Sequence, residues 1–192
     1  MLPKLTVPGS EVGAGRTVAR DSERPFRLRP SMILRLHKEA LDGIHVLAGT
    51  YRNTAVEIRG SGHTPVEAFM VAEEVEHLCD YVNDNWNRSA LHLAAYVMWR
   101  INWIHPFADG NGRTARVVSY VVLSVKLDSL LPGTPTIPDQ IAQDKTPYYK
   151  TLESADMTWK TSAIVDVSAL EDMLDRMLAR QLIATAEEAG RS

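Results

Sequence analysis

A chain of 192 residues with ordinary apolar (45%) and charged (23%) fractions is long enough to bury one core and short for two. Its formal net charge of −3 excludes a general basic field, so nucleic acid is not an expected partner, and no run is long and apolar enough for a membrane span. The single cysteine, Cys79, has no internal partner for a disulfide, so a reducing, cytoplasmic setting is expected, with a secreted effector left open.

In chain order, residues 1–30 read as an irregular arm and residues 31–192 as one predominantly helical domain. Met1 to Arg16 is interrupted by Pro3, Pro8, Gly9, Gly13 and Gly15, which does not read as a secretory signal. Ala48 to Arg52 leads into Val56-Glu57-Ile58-Arg59, an alternation of apolar and polar residues closed by Gly60-Ser61-Gly62. That pattern predicts a short β-hairpin over about 56–63. Thr64-Pro65-Val66-Glu67 has the form of a capping box with proline at the first helical position, opening a helix whose Val71, Val75, Leu78 and Val82 share a face.

Ser89 to Ile104 is apolar nearly all round, the pattern of a helix buried within a domain. Pro106 disfavours helical geometry at the residue before it, so the helix should stop at His105 with the imidazole at its tip. Gly110 and Gly112 bracket Asn111 and allow successive N–H groups to converge as an anion-binding nest. Val117 to Val125 carry on a second helix, whose first turn holds Gly112 to Arg116. Leu131 to Pro138 reads as a loop. Thr146-Pro147 starts another helix, where Tyr148 and Tyr149 either wall a base pocket or pack as ordinary aromatic residues. Ser168 to Glu171 opens the last helix, about 168–188, whose Leu170, Met173, Leu174, Met177, Leu178, Gln181 and Leu182 form a stripe for the core or for a partner helix.

Chemistry concentrates between His105 and Arg116. Arg113 and Arg116 share a face of a helix's first turn, where cations oppose the helix dipole unless an anion compensates them. Asp109 is a compact carboxylate suited to Mg²⁺, an ion that takes one or two protein carboxylates together with phosphate oxygens and water. His105 is the candidate general base, since imidazole titrates near neutral pH. A zinc site is the weaker reading, because no further His or Cys lies at ligand spacing. The segment therefore predicts a site for a nucleotide polyphosphate with its metal.

The run His105-Pro106-Phe107-Ala108-Asp109-Gly110-Asn111-Gly112-Arg113-Thr114-Ala115-Arg116 resembles the signature of the Fic family at every fixed position. The resemblance extends from about Leu36 to roughly Leu152. It implies an all-α fold, a Fic-type helical bundle around a central buried helix pair with a small β-hairpin flap near the active site. It also implies transfer of AMP from ATP, the co-substrate, to a Ser, Thr or Tyr hydroxyl of a target protein. His105 would then be the base and Asp109 the Mg²⁺ ligand. Phe107, Gly110, Asn111, Gly112, Arg113 and Arg116 would hold the nucleotide phosphates. Val56, Glu57, Ile58, Arg59, Gly60 and Ser61 would form the flap that lines up an extended target segment, though a plain surface hairpin is the bland alternative. Tyr148 and Tyr149 would face the base.

A Doc-like branch of the family transfers a phosphate instead. The intact Gly110-Asn111-Gly112 argues for a nucleotide, and transfer of UMP or GMP, removal of AMP, and a non-catalytic nucleotide-binding or adaptor role stay open. Many Fic proteins carry an inhibitory Ser/Thr-x-x-x-Glu-Gly/Asn helix. Here the nearest patterns end in aspartate, Thr17 to Asp21 and Ser168 to Asp172. A small partner protein supplying the glutamate is the expected alternative, and a homodimer is left open.

Overall fold

The computed structural model describes residues 26–190. Among them the chain is helical and no β-strand occurs. The helices are α1 (Pro30–Leu41), α2 (Val71–Asp84), α3 (Ala90–Ile104), α4 (Asn111–Lys126), α5 (Ile137–Gln143), α6 (Thr146–Ser162) and α7 (Ser168–Ala189), with a 3₁₀ turn at Ala68–Met70 before α2. None is long and apolar enough to cross a membrane. Most of the predicted arm, residues 1–25, lies outside the described residues; its end is laid on the domain. Phe26 packs on Trp86, and Asn83 holds the buried Leu28 by both backbone groups, at 2.8 and 3.0 Å.

Helix α3 is the axis of the molecule. Ser89 caps its start by accepting the His92 N–H at 3.0 Å. Leu93 to Ile101 are then buried without interruption, which is why the sequence shows no polar face there. Helix α4 packs along α3, with the buried Ser119 hydroxyl donating to the Ala94 carbonyl at 2.8 Å, while α2, α6 and α7 surround α3 and α1 lies on α4. On α7, Leu170, Met173, Leu174 and Gln181 are buried and Leu182 is exposed, so most of the stripe is core. Gln181 is inside because its amide is occupied. It accepts the Ile137 N–H and donates to Tyr120 Oη and the Pro132 carbonyl.

Three local expectations differ from the structure. Residues 56–63 are not a hairpin: the alternation survives as burial, with Val56 and Ile58 half-buried and Glu57 and Arg59 exposed, but no partner strand exists among the described residues. The only turn there closes Ile58 O with the Ser61 N–H at 3.1 Å, Gly60 supplying φ 78°. Thr64 to Glu67 is likewise irregular rather than helical, with Glu67 at φ −58° and ψ 146°. Both departures have one cause. Arg52 is buried and spends its guanidinium on backbone carbonyls of this segment, Thr54 at 2.9 Å and Val66, so side-chain capture replaces strand pairing and the helical start. Finally, Leu131 to Pro138 is not loop throughout. Thr136 and Asp139 form a capping box that opens α5, with Thr136 Oγ1 accepting the Asp139 N–H and Asp139 Oδ2 accepting the Thr136 N–H.

Candidate active site

The loop between α3 and α4 is pinned from below by side chains that face away from solvent. Phe107 is fully buried and stacks on His37 of α1, ring centroids 3.6 Å apart and planes 2° from parallel. His37 Nε2 donates to the Asp109 carbonyl at 3.1 Å, and its Nδ1 accepts the Gly49 N–H at 2.8 Å. Those two bonds require the neutral tautomer, and burial pushes the His37 pKa down in agreement. His37 was not singled out as a site residue in the sequence. Its signal was there, since Ile33, His37 and Leu41 are spaced on one face of α1 and all are buried.

Asn111 completes the brace. Its Oδ1 accepts the Phe107 N–H and its Nδ2 donates to the Phe107 carbonyl, both at 2.8 Å. The side chains of Phe107 and Asn111 therefore turn inward and hold the loop, and what this stretch offers a ligand is backbone. Gly110, at the N-cap of α4, has φ 79°, and a Cβ there would sit 2.8 Å from Leu41 Cδ2. Gly110→Ala is expected to cost about 1–2 kcal/mol from the left-handed conformation alone, with the clash added, and thermal unfolding of the variant measures it.

Above the brace, α4 begins with no side-chain cap and no acidic residue in its first turn, so the N–H groups of Asn111, Gly112 and Arg113 are left for a ligand. Gly112 lies inside the helix rather than in a turn, so its use is close approach, not backbone freedom. Asp109 is exposed, accepts the Gly110 N–H at 2.7 Å and pairs with Arg113 at 3.2 Å. Arg116 makes no ion pair among the described residues, and its Nη1 lies over Gly112. Asp172, one of the two aspartates in inhibitory register, is exposed on α7 and unpaired with Arg116; Asp21 lies outside the described residues. No three acidic, His or Cys side chains converge as a metal cage among the described residues. A single carboxylate beside free N–H groups fits Mg²⁺ arriving with phosphate oxygens and water, and does not fit zinc.

His105 stands at the C-terminal tip of α3 in the left-handed region, φ 52° and ψ 58°, a common way for a helix to end; the following proline bars the helical conformation there. Its backbone carbonyl accepts Arg52 Nε at 2.8 Å, and Arg52 N–H in turn donates to the Pro106 carbonyl at 2.9 Å. The imidazole Nδ1 donates to the Asn102 carbonyl at 3.3 Å. That leaves Nε2 as an acceptor. Burial pushes the His105 pKa down; the bond to Asn102 opposes this, and the neighbouring Arg52 and His63 add to it.

His105 lines a cavity of about 370 Å³. Trp99, Asn102 and Trp103 of α3 form one side, Tyr149, Glu153 and Asp156 of α6 the adjoining one, where Asp156 meets Trp99, and Ile58 to Ser61 the lid. The segment carrying Ile58 is tied down at both ends, by Arg52 as above and by His63, whose ring nitrogen meets the Trp103 carbonyl at 2.7 Å. Tyr148 and Tyr149 part company. Tyr148 is buried and accepts the Asn102 amide at 2.6 Å, whereas Tyr149 is 51% exposed and lines the cavity.

The model of the Fic/DOC family matches residues 27–123 of this chain, just over half of it, and takes in α1, the pinned loop and most of α4. The chain belongs to the Fic/DOC family. Among curated relatives of this Fic domain, the protein adenylyltransferase Fic of Nematostella vectensis is 33% identical over 131 residues, 64% of this chain and 27% of that protein. Protein adenylyltransferase fic-1 of Caenorhabditis elegans is 33% identical over 94 residues, 47% of this chain and 18% of that protein. The Fic domain thus spans about a quarter or less of these relatives. A Fic family protein from Desulfovibrio desulfuricans superposes with a TM-score of 0.64 at 25% identity, over 85% of this chain and 47% of that one. The solved C. elegans Fic-1, at 22% identity and a TM-score of 0.62, shares the fold.

Proposed function

We propose that this Fic domain transfers AMP from ATP to a Ser, Thr or Tyr hydroxyl of a target protein. The observation that carries the reading is the tautomer of His105. With Nδ1 donating to Asn102, the Nε2 lone pair is left free on a residue that lines a cavity and is joined by one short loop to the uncapped start of α4. In that step the hydroxyl proton passes to Nε2 and the hydroxyl oxygen bonds to the α-phosphorus. The bond from that phosphorus to the bridging oxygen breaks, and pyrophosphate leaves with the electron pair. The N–H groups of α4, with Arg113 and Arg116, meet the charge that builds on the phosphates. Asp109 would hold Mg²⁺, which supplies further neutralisation when bound. The names of the adenylyltransferase relatives support the transferred group, and the backbone of residues 55–57, which makes no hydrogen bond among the described residues, supports a target segment pairing beside the site. With no carboxylate paired to Arg116 among the described residues, the domain would be either unrestrained or restrained by a separate partner protein.

Because the base must be neutral and burial lowers its pKa from 6.5, activity should hold to lower pH than a free imidazole allows. The acidic limb of kcat/KM against pH is expected below pH 6.5, and a limb above 6.5 contradicts the burial argument. Asp109→Ala is expected to lower transfer by about a hundredfold or more and to abolish its dependence on added Mg²⁺; retained Mg²⁺-dependent transfer contradicts the assignment. The reading itself is tested by intact and peptide mass spectrometry of extract proteins incubated with this chain, ATP and Mg²⁺. An adenylyl adduct on a hydroxyl residue is expected, and a phosphate adduct in its place overturns it.

A further inference from the structure

Where α3 ends, two successive carbonyls lose their helical donors for different reasons. Asn102 O would receive the N–H of residue 106, and that residue is proline. Trp103 O would receive the N–H of Phe107, which is turned onto Asn111 Oδ1 at 2.8 Å. Imidazoles take both carbonyls. His105 Nδ1 donates to Asn102 O at 3.3 Å, and His63 Nε2 donates to Trp103 O at 2.7 Å. The proposed base and a residue just beyond the lid are therefore held by neighbouring peptide groups of one helical turn.

His63 connects that turn to the lid. Its own N–H donates to Ser61 Oγ at 3.1 Å, and the Ser61 N–H closes on Ile58 O at 3.1 Å, so Ile58 to Ser61 and His63 form one hydrogen-bonded unit. Arg52 grips the segment at Thr54 and Val66, on either side of the lid. Among the described residues, the bond from His63 to Trp103 is the only hydrogen bond by which residues 55–63 reach a helix. The His63 ring also leans on the Trp103 indole, centroids 5.4 Å apart, and Trp103 lines the same cavity as His105. Packing alone would favour another side chain here. His63 is 7% exposed, and with Nε2–H donating, its Nδ1 is a buried acceptor that has no partner, an arrangement that costs stability. What the imidazole adds is a donor of fixed reach on a rigid ring.

We infer that His63 is a positioning residue for the transfer step: it holds the lid, and with it a target segment pairing beside the lid, at a set height over His105 Nε2. The inference rests on the transferase reading and its target segment. A shift of the lid separates the target hydroxyl from the base, and the start of α4, which meets the phosphates, does not move with it. The test compares initial rates of protein labelling from ATP labelled at the α-phosphate, in cell extract, for the full chain, His63→Leu and His63→Gln. Glutamine keeps a donor at the place of Nε2, and leucine does not. His63→Leu is expected to label about ten- to a hundredfold more slowly, the cost of a misplaced reactant, with its nucleotide Kd by calorimetry unchanged. His63→Gln should recover most of the rate, and melting temperatures show whether each variant folds. Should the leucine variant not fold, His63→Asn, whose donor is too short to reach Trp103 O, takes its place and is expected to be as slow. Unchanged labelling in His63→Leu, nucleotide binding lost in step with labelling, or a glutamine variant no faster than the leucine one would each overturn the inference and leave the transferase reading intact. No labelling by the wild-type chain would overturn that reading and this inference with it.

Discussion

Replacing His105 with alanine is expected to lower nucleotide transfer by about a hundred- to ten-thousand-fold, the usual contribution of a positioned general base, while nucleotide binding persists. The reason lies in what His105 does not do. Its Nε2 has no partner among the described residues and supports no part of the fold, whereas its structural duties fall on backbone atoms that alanine retains: the carbonyl bonded to Arg52 and the N–H bonded to Ile101. The loss should therefore appear in kcat, with little change in the nucleotide Kd. Single-turnover kinetics beside a binding titration separates the two. Weakened binding in step with activity would make His105 a ligand-binding residue rather than the base.

The second large effect is expected at Arg52, whose guanidinium is spent on the protein's own backbone. Its side chain donates to His105 O and Thr54 O, to Val66 O and, more weakly, to Ile104 O, joining the end of α3 to both ends of the lid. Arg52→Leu leaves these carbonyls without their donor in a buried position, so a loss of roughly 2–4 kcal/mol is expected. Chemical denaturation measures that. Activity should fall beyond what stability explains, because the lid over the cavity and the His105 carbonyl lose the same anchor. Unchanged hydrogen exchange across residues 53–66 in the variant would refute the anchoring role.

Much of the site was legible because one short segment concentrates it. His105 before proline, paired glycines and two arginines three apart each have a local physical meaning, and the end of α3 and the start of α4 lie where that meaning puts them. The parts that were not legible depend on contacts distant in the sequence. Asn111 and Phe107 read as ligand groups by position, yet each turns inward, Asn111 to close on the loop backbone and Phe107 to meet His37 across the fold. The alternation at Val56 to Arg59 was a true record of which residues face inward. It misled only on what pairs with the backbone, since nothing local announces that Arg52 will take Val66 O. The turn residues before α5 were read as loop because prolines and Gly133 outweighed the short Thr136–Asp139 cap. Tyr148 and Tyr149 are adjacent on one helix and so must face differently, which spacing alone does not resolve.

The central claim is that the bond broken lies at the α-phosphorus and that His105 drives the attack. Incubating the chain and a cell extract with ATP labelled at the α-phosphate, and in parallel at the γ-phosphate, tests it most directly. Protein-bound label from the α position alone, absent with His105→Ala, is the expected result; label from the γ position alone would contradict the account.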